Sequence, residues 1–134
     1  MIVLSKDMEV GVKRIDDQHR ELVNRLNIVS SMGARAVSVE ETSKTINMLG
    51  DYIIKHFNDE EGMQVQSRYP KYETHKKLHE HFKAEYQKLR AAFIKQGPSA
   101  QFTLDLNKAL VTWIVKHIKS EDIEFGKYYN SKNA

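Results

Sequence analysis

Two pairs of side chains at a spacing of four constrain this chain more than anything else in it: His56 with Glu60, and His75 with His79. A helical turn holds about 3.6 residues, so each pair lies on one face of a helix. Both pairs occupy places where an apolar residue is expected. His56 and Glu60 continue the stripe Ile46, Leu49, Ile53 toward Met63, while His75 and His79 open the stripe Phe82, Tyr86, Leu89, Phe93. Imidazole and carboxylate turned into a core must be paired or coordinated there, because an unpaired buried polar group costs several kcal/mol, roughly 2–7.

Two further segments share this period. Ile15, His19, Leu22, Leu26 and Val29 form one stripe, and Leu106, Leu110, Trp113 and His117 another. No strand-like alternation competes, and the connections are short, so the fold expected is all-α: an up-down-up-down antiparallel four-helix bundle. An extended N-terminal arm is expected over residues 1–14, the bundle over 15–119 and a frayed helical tail over 120–134, with Phe125, Tyr128 and Tyr129 returning to the bundle. All form one domain.

Boundary signals are read along the way. Asp16 or Asp17 can cap the first helix and Gly33 end it; Ser38 with Glu41 forms a capping box for the second. Gly62 and Tyr69-Pro70 mark the turn into the third helix, which ends before Gly97-Pro98, and the fourth begins near Ser99. Asp122 follows His117 by five residues, about 140° round an α-helix. If both reach one site, the helix is expected to end or tighten near Ser120.

Composition excludes several classes. The chain has 134 residues, 40% hydrophobic and 29% charged, and no cysteine, so a metal must be held by nitrogen and oxygen. A net charge of +3 with interspersed signs reads as a solvated helical surface and no nucleic-acid partner. Residues 1–7 lack a signal-peptide run and no segment approaches a membrane span, so a soluble, cytoplasmic protein or a soluble piece of a longer one is expected.

Five of the six histidines lie on inward stripes spread over all four helices. His81 lies about 200° round from His79, toward solvent. A lone histidine on an apolar face is more often a hydrogen-bonded core residue than a ligand. Five of them, with Glu60, point to metal. The candidate ligands are His19, His56, Glu60, His75, His79, His117 and Asp122. Five imidazoles exceed the need of one tetrahedral zinc, and two carboxylates are natural bridges between two ions. Two octahedral ions have twelve places; five nitrogens, two bridging carboxylates and a bridging oxo or hydroxo fill eleven. The open place suggests reversible capture of a small ligand, in a dry pocket formed by Leu22, Ile53, Phe57, Trp113, Ile114 and Ile118.

These residues resemble the hemerythrin family in its bacterial single-domain form. The likeness rests on Gly11-Val12 with Ile15-Asp16-Asp17-Gln18-His19, on His56-Phe57 with Glu60-Glu61 and Met63, on Tyr69-Pro70 with His75 and His79, and on Trp113 with His117-Ile118 and Asp122. It implies two iron ions with a bridging oxo or hydroxo group that bind O₂ reversibly, NO or small anions such as azide being further ligands. Carried over, His75, His79 and His117 hold the filled iron, His19 and His56 the iron with the open place, and Glu60 and Asp122 bridge the two. Gln18 and Tyr69 are candidates for neighbouring roles. The family's arm usually carries a tryptophan where this chain has Leu4.

The function expected is therefore an oxygen carrier, store or sensor, not an enzyme. A di-iron enzyme acting on peroxide, O₂ or NO is the alternative, as is the sensing module of a longer signalling protein.

Overall fold

The computed structural model describes residues 3–32, 38–96 and 100–132. After a 3₁₀ turn at Lys6–Met8 come α1 (Lys13–Met32), α2 (Val39–Gln66), α3 (Tyr72–Gln96) and α4 (Ala100–His117). A five-residue π turn, Ile118–Asp122, then leads into α5 (Ile123–Lys132). Helices α1 to α4 pack in a closed ring, each against its neighbours in sequence and α1 against α4, which is the up-down-up-down arrangement.

Each helix buries the stripe its sequence marks out. Leu22, Leu26 and Val29 of α1, Ile46, Leu49, Ile53 and Phe57 of α2, Phe82, Tyr86 and Phe93 of α3, and Phe102, Leu106, Leu110 and Ile114 of α4 form one continuous core. Trp113 and Leu89 are only partly buried and pack on its rim, as does Leu4 of the arm. A second cluster closes one end of the molecule, where Val10, Val12 and Ile15 meet Tyr69 and Phe125.

The ends of the helices depart from expectation in ways that have local causes. Neither Asp16 nor Asp17 sits at the start of α1. Asp16, fourth in the helix, turns its carboxylate back to accept from Val10 N–H at 2.7 Å and Gly11 N–H at 3.1 Å. It thereby ties down the arm, whose chain direction changes at Gly11, where φ is +88°. Asp17 faces outward to Lys13 and Arg20. Ser38 does cap α2, its hydroxyl accepting from Glu41 N–H at 3.0 Å.

Gly62 does not end α2, which runs on to Gln66. What closes it is Arg68, just past the Ser67 cap, a residue with φ +58°. There the Arg68 N–H donates to Val65 O at 3.1 Å and the Tyr69 N–H to Gln64 O at 2.9 Å, the paired bonds of a Schellman cap. Pro70 lies just before the helix that follows, in which His75 N–H donates to Lys71 O at 2.9 Å. Gly33, Gly97, Pro98 and Ser99 lie outside the described residues.

The tail is a docked helix rather than a frayed end. Phe125 of α5 is fully buried, Tyr128 donates its hydroxyl to the Ser67 and Arg68 carbonyls, and Asn130 donates to Gly11 O at 3.0 Å. Close approach makes this possible: a Cβ on Gly126 would stand 2.1 Å from the Val10 carbonyl oxygen. No helix among the described residues is long and apolar enough to cross a membrane.

Candidate metal centre

All four bundle helices aim polar side chains at one level of the core. Helix α1 supplies His19, α2 supplies His56 and Glu60, α3 supplies His75 and His79, α4 ends on His117, and the π turn ends on Asp122; all seven are buried. His81 is exposed.

Asp122 reaches this level by a route opposite to the one expected. The helix does not stop or tighten after His117 but widens, and Ile123 N–H bonds back to Ile118 O, five residues earlier. A turn closed from i to i+5 brings residues five apart onto one face, where an α-helix would separate them by about 140°. His117 Nε2 and Asp122 Oδ1 consequently stand 3.0 Å apart.

The seven side chains form two overlapping groups. Glu60, His75, His79, His117 and Asp122 offer ligand atoms within 4.8 Å of one another, and so do His19, His56, Glu60 and Asp122. The two carboxylates belong to both. In the first group the Nε2 atoms converge, His117 lying 3.1 Å from His75 and 3.2 Å from His79. Glu60 presents Oε1 to His75 at 2.5 Å and Oε2 to His56 at 3.5 Å; Asp122 presents Oδ1 to His75 at 3.1 Å and Oδ2 to His19 at 3.1 Å. Each carboxylate thus gives one oxygen to each group.

The imidazoles of His75, His79 and His117 are within hydrogen-bond distance of one another, but the carboxylates are not satisfied in this way. Both oxygens of Glu60, both oxygens of Asp122 and both nitrogens of His19 are buried without a hydrogen-bond partner. Such groups are costly unless something else satisfies them. Protonation relieves part of the cost. Burial drives the His75 imidazole down, but Asp122 and Glu60 beside it outweigh that and lift its pKa to about 10, so a proton on His75 neutralises part of the carboxylate charge. Burial, with the charges of His75 and His117, pushes His79 down to about 2. Burial and the Asp122 charge raise Glu60 well above the ordinary carboxylate range; for Asp122 burial acts the same way, but His117, His19 and His75 hold it well below. Two carboxylates without hydrogen-bond partners, facing five converging imidazoles, are the donor set of hard to borderline divalent cations, and the residues present fit a pair of them.

The outward nitrogens of two imidazoles are held. His56 Nδ1 lies 2.7 Å from Gln18 Oε1, and His79 Nδ1 lies 2.9 Å from Glu61 Oε2. Gln18 therefore supports His56 across the helix interface, not the His19 beside it. Glu61 had no role assigned from sequence; its carboxylate beside Glu60 was the available signal. Gln64, one turn past Glu60, is fully buried with neither amide atom paired. Tyr69 packs on Phe125 and Tyr128 in the second cluster. Phe57 stacks on His79 with centroids 3.8 Å apart and planes 5° from parallel, and Trp113 stacks on His117 at 4.3 Å. Leu22, Ile53, Ile114 and Ile118 belong to the same core as Phe57.

Fold and site together define a four-helix bundle with a buried cluster of imidazoles and carboxylates in its core, an arrangement that can hold cations between facing helices. The chain belongs to the hemerythrin family: the model of the hemerythrin HHE cation binding domain matches residues 10–129. Among its relatives, myohemerythrin of Sipunculus nudus is 30% identical, over 92% of this chain and 89% of that protein. Bacteriohemerythrin of Clostridium acetobutylicum is also 30% identical, over 93% and 98%, and that of Stenotrophomonas maltophilia 28%, over 91% and 77%. A crystal structure of wild-type hemerythrin superposes with a TM-score of 0.83 at 23% identity, covering 96% of this chain and 97% of that one, a likeness of fold.

Proposed function

We infer that the seven buried side chains hold two iron ions and that the chain binds O₂ reversibly, as a carrier, store or sensor. The observation that carries this reading is the sharing of Glu60 and Asp122 between two ligand groups, one with three imidazoles and one with two. On this reading His75, His79 and His117 would hold one ion, His19 and His56 the other, and Glu60 and Asp122 would serve both. An iron pair held there would supply reversible two-electron exchange with O₂.

The rest is done by side chains of this chain. Glu61 and Gln18 fix the rings of His79 and His56 through their Nδ1 atoms, leaving Nε2 turned inward. Phe57 and Trp113 lie flat against His79 and His117 and limit their rotation. Leu22, Ile53, Phe57, Ile114 and Ile118 belong to the core next to the cluster and Trp113 packs on its rim, and on this reading they supply the apolar surroundings of a small ligand.

The test is optical. Reduced protein loaded with ferrous ion should gain a visible charge-transfer band on exposure to O₂ and lose it under vacuum through repeated cycles. Rapid, irreversible oxidation in the first cycle would favour an enzyme over a carrier.

A further inference from the structure

We propose that Asp59, on the outer face of α2, is a positioning residue that sets the tautomer of His56 by fixing which way the Gln18 amide points. The proposal deepens the reading of His56 as a metal ligand and rests on it for its consequence, though not for its geometry.

Three donors converge on Asp59. Gln18 Nε2 donates to Oδ2 at 2.7 Å, Lys55 Nζ donates at 3.0 Å, and Arg14 Nη2 lies 3.2 Å away. The Asp59 side chain is 22% exposed, so this small cluster sits at the edge of the α1–α2 interface, with two cations keeping the carboxylate charged. A charged carboxylate accepts hydrogen bonds and donates none. Gln18 must therefore turn its NH₂ group toward Asp59.

That choice fixes the other end of the amide. Its carbonyl oxygen faces His56 Nδ1 at 2.7 Å, and an oxygen there only accepts. The proton of the neutral ring is then on Nδ1, and Nε2 keeps a bare lone pair on the side facing Glu60 Oε2, 3.5 Å away. With the amide reversed, its NH₂ would donate to Nδ1, the ring proton would move to Nε2, and the inward nitrogen could not bind a cation. Reversal also sets the amide oxygen against the carboxylate.

His79 shows why His56 needs the extra residue. Its Nδ1 meets a carboxylate directly, Glu61 at 2.9 Å, and a carboxylate has no wrong way round. The partner of His56 is an amide, which has two orientations of nearly equal shape. Asp59 decides between them from the far side.

The experiment is a nitrogen-15 NMR measurement of the ring nitrogens of His56 in the full chain, free of metal, at neutral pH. The wild type should show one tautomer, protonated on Nδ1. Asp59→Asn keeps the size and removes the charge, and an amide there can either accept from Gln18 or donate to it; both tautomers of His56 should appear. Ferrous ion added anaerobically should then bind the second site on the order of tenfold more weakly. Combining Asp59→Asn with Gln18→Glu restores a group at position 18 that only accepts, and the Nδ1-protonated form alone should return. An Asp59→Asn chain that keeps the single wild-type tautomer overturns the proposal, as does a wild type protonated on Nε2. The tautomer is read without metal, so a chain that bound no iron would contradict the oxygen-binding reading and leave this result standing.

Discussion

His117 and Asp122 meet at 3.0 Å across five residues of chain because the backbone between them is wound as a π turn. Local geometry here carries a carboxylate to the buried cluster that regular winding would turn away. One alanine inserted between Ser120 and Glu121 would place the carboxylate six residues from His117, about 240° round a regular helix. The expected outcome is a chain with unchanged far-ultraviolet circular dichroism and cation content reduced to about one per chain or less, read by metal analysis.

Glu61 holds the outward nitrogen of His79. Glu61→Ala leaves a buried N–H unpaired and frees the ring, and should weaken metal binding by about 10- to 100-fold. Glu61→Gln can still accept at that place and should fall between the two. His81→Ala, altering an exposed side chain, should leave metal binding unchanged. Competition against a chelator of known affinity measures all three.

Two buried phenols set an alkaline limit. Burial raises Tyr86 to about 12, and burial with the charge of Glu124 nearby raises Tyr69 to about 12. A folded-state pKa above the ordinary value of 10 contributes stability below pH 10 that is lost as pH climbs from 10 toward 12. Near-ultraviolet absorbance should therefore show these two of the six tyrosines ionising together with loss of helix signal. Tyr86→Phe should remove one of the two late steps.

The arm and α5 touch backbone to side chain at Gly126, where a Cβ would stand 2.1 Å from Val10 O. Gly126→Ala must push the two apart and should cost about 1–3 kcal/mol in denaturant unfolding. Metal stoichiometry should be unchanged, since none of the seven cluster residues lies in the arm or in α5.

The inward stripes were legible because periodicity is carried by residue type: polar groups at His19, His56, Glu60, His75, His79 and His117 stand out against apolar neighbours. The winding after His117 was not legible. Whether a carbonyl such as that of Ile118 is met four or five residues on is decided by packing, and side-chain identity hardly records it. Gly62 does not stop the helix because glycine inside a helix costs only about 1 kcal/mol, easily offset by the burial of Ile46, Leu49, Ile53 and Phe57 along it. The true stop, Arg68, carries no residue signature for positive φ. The partner of Gln18 was not legible either: consecutive helical residues point about 100° apart, and its side chain crosses to α2.

If two ions share Glu60 and Asp122, anaerobic titration of the metal-free chain with ferrous ion should saturate with a break at two irons per chain, and Glu60→Ala should lose the second equivalent. A break at one iron, or tight binding of a single zinc in its place with iron excluded, would contradict that sharing.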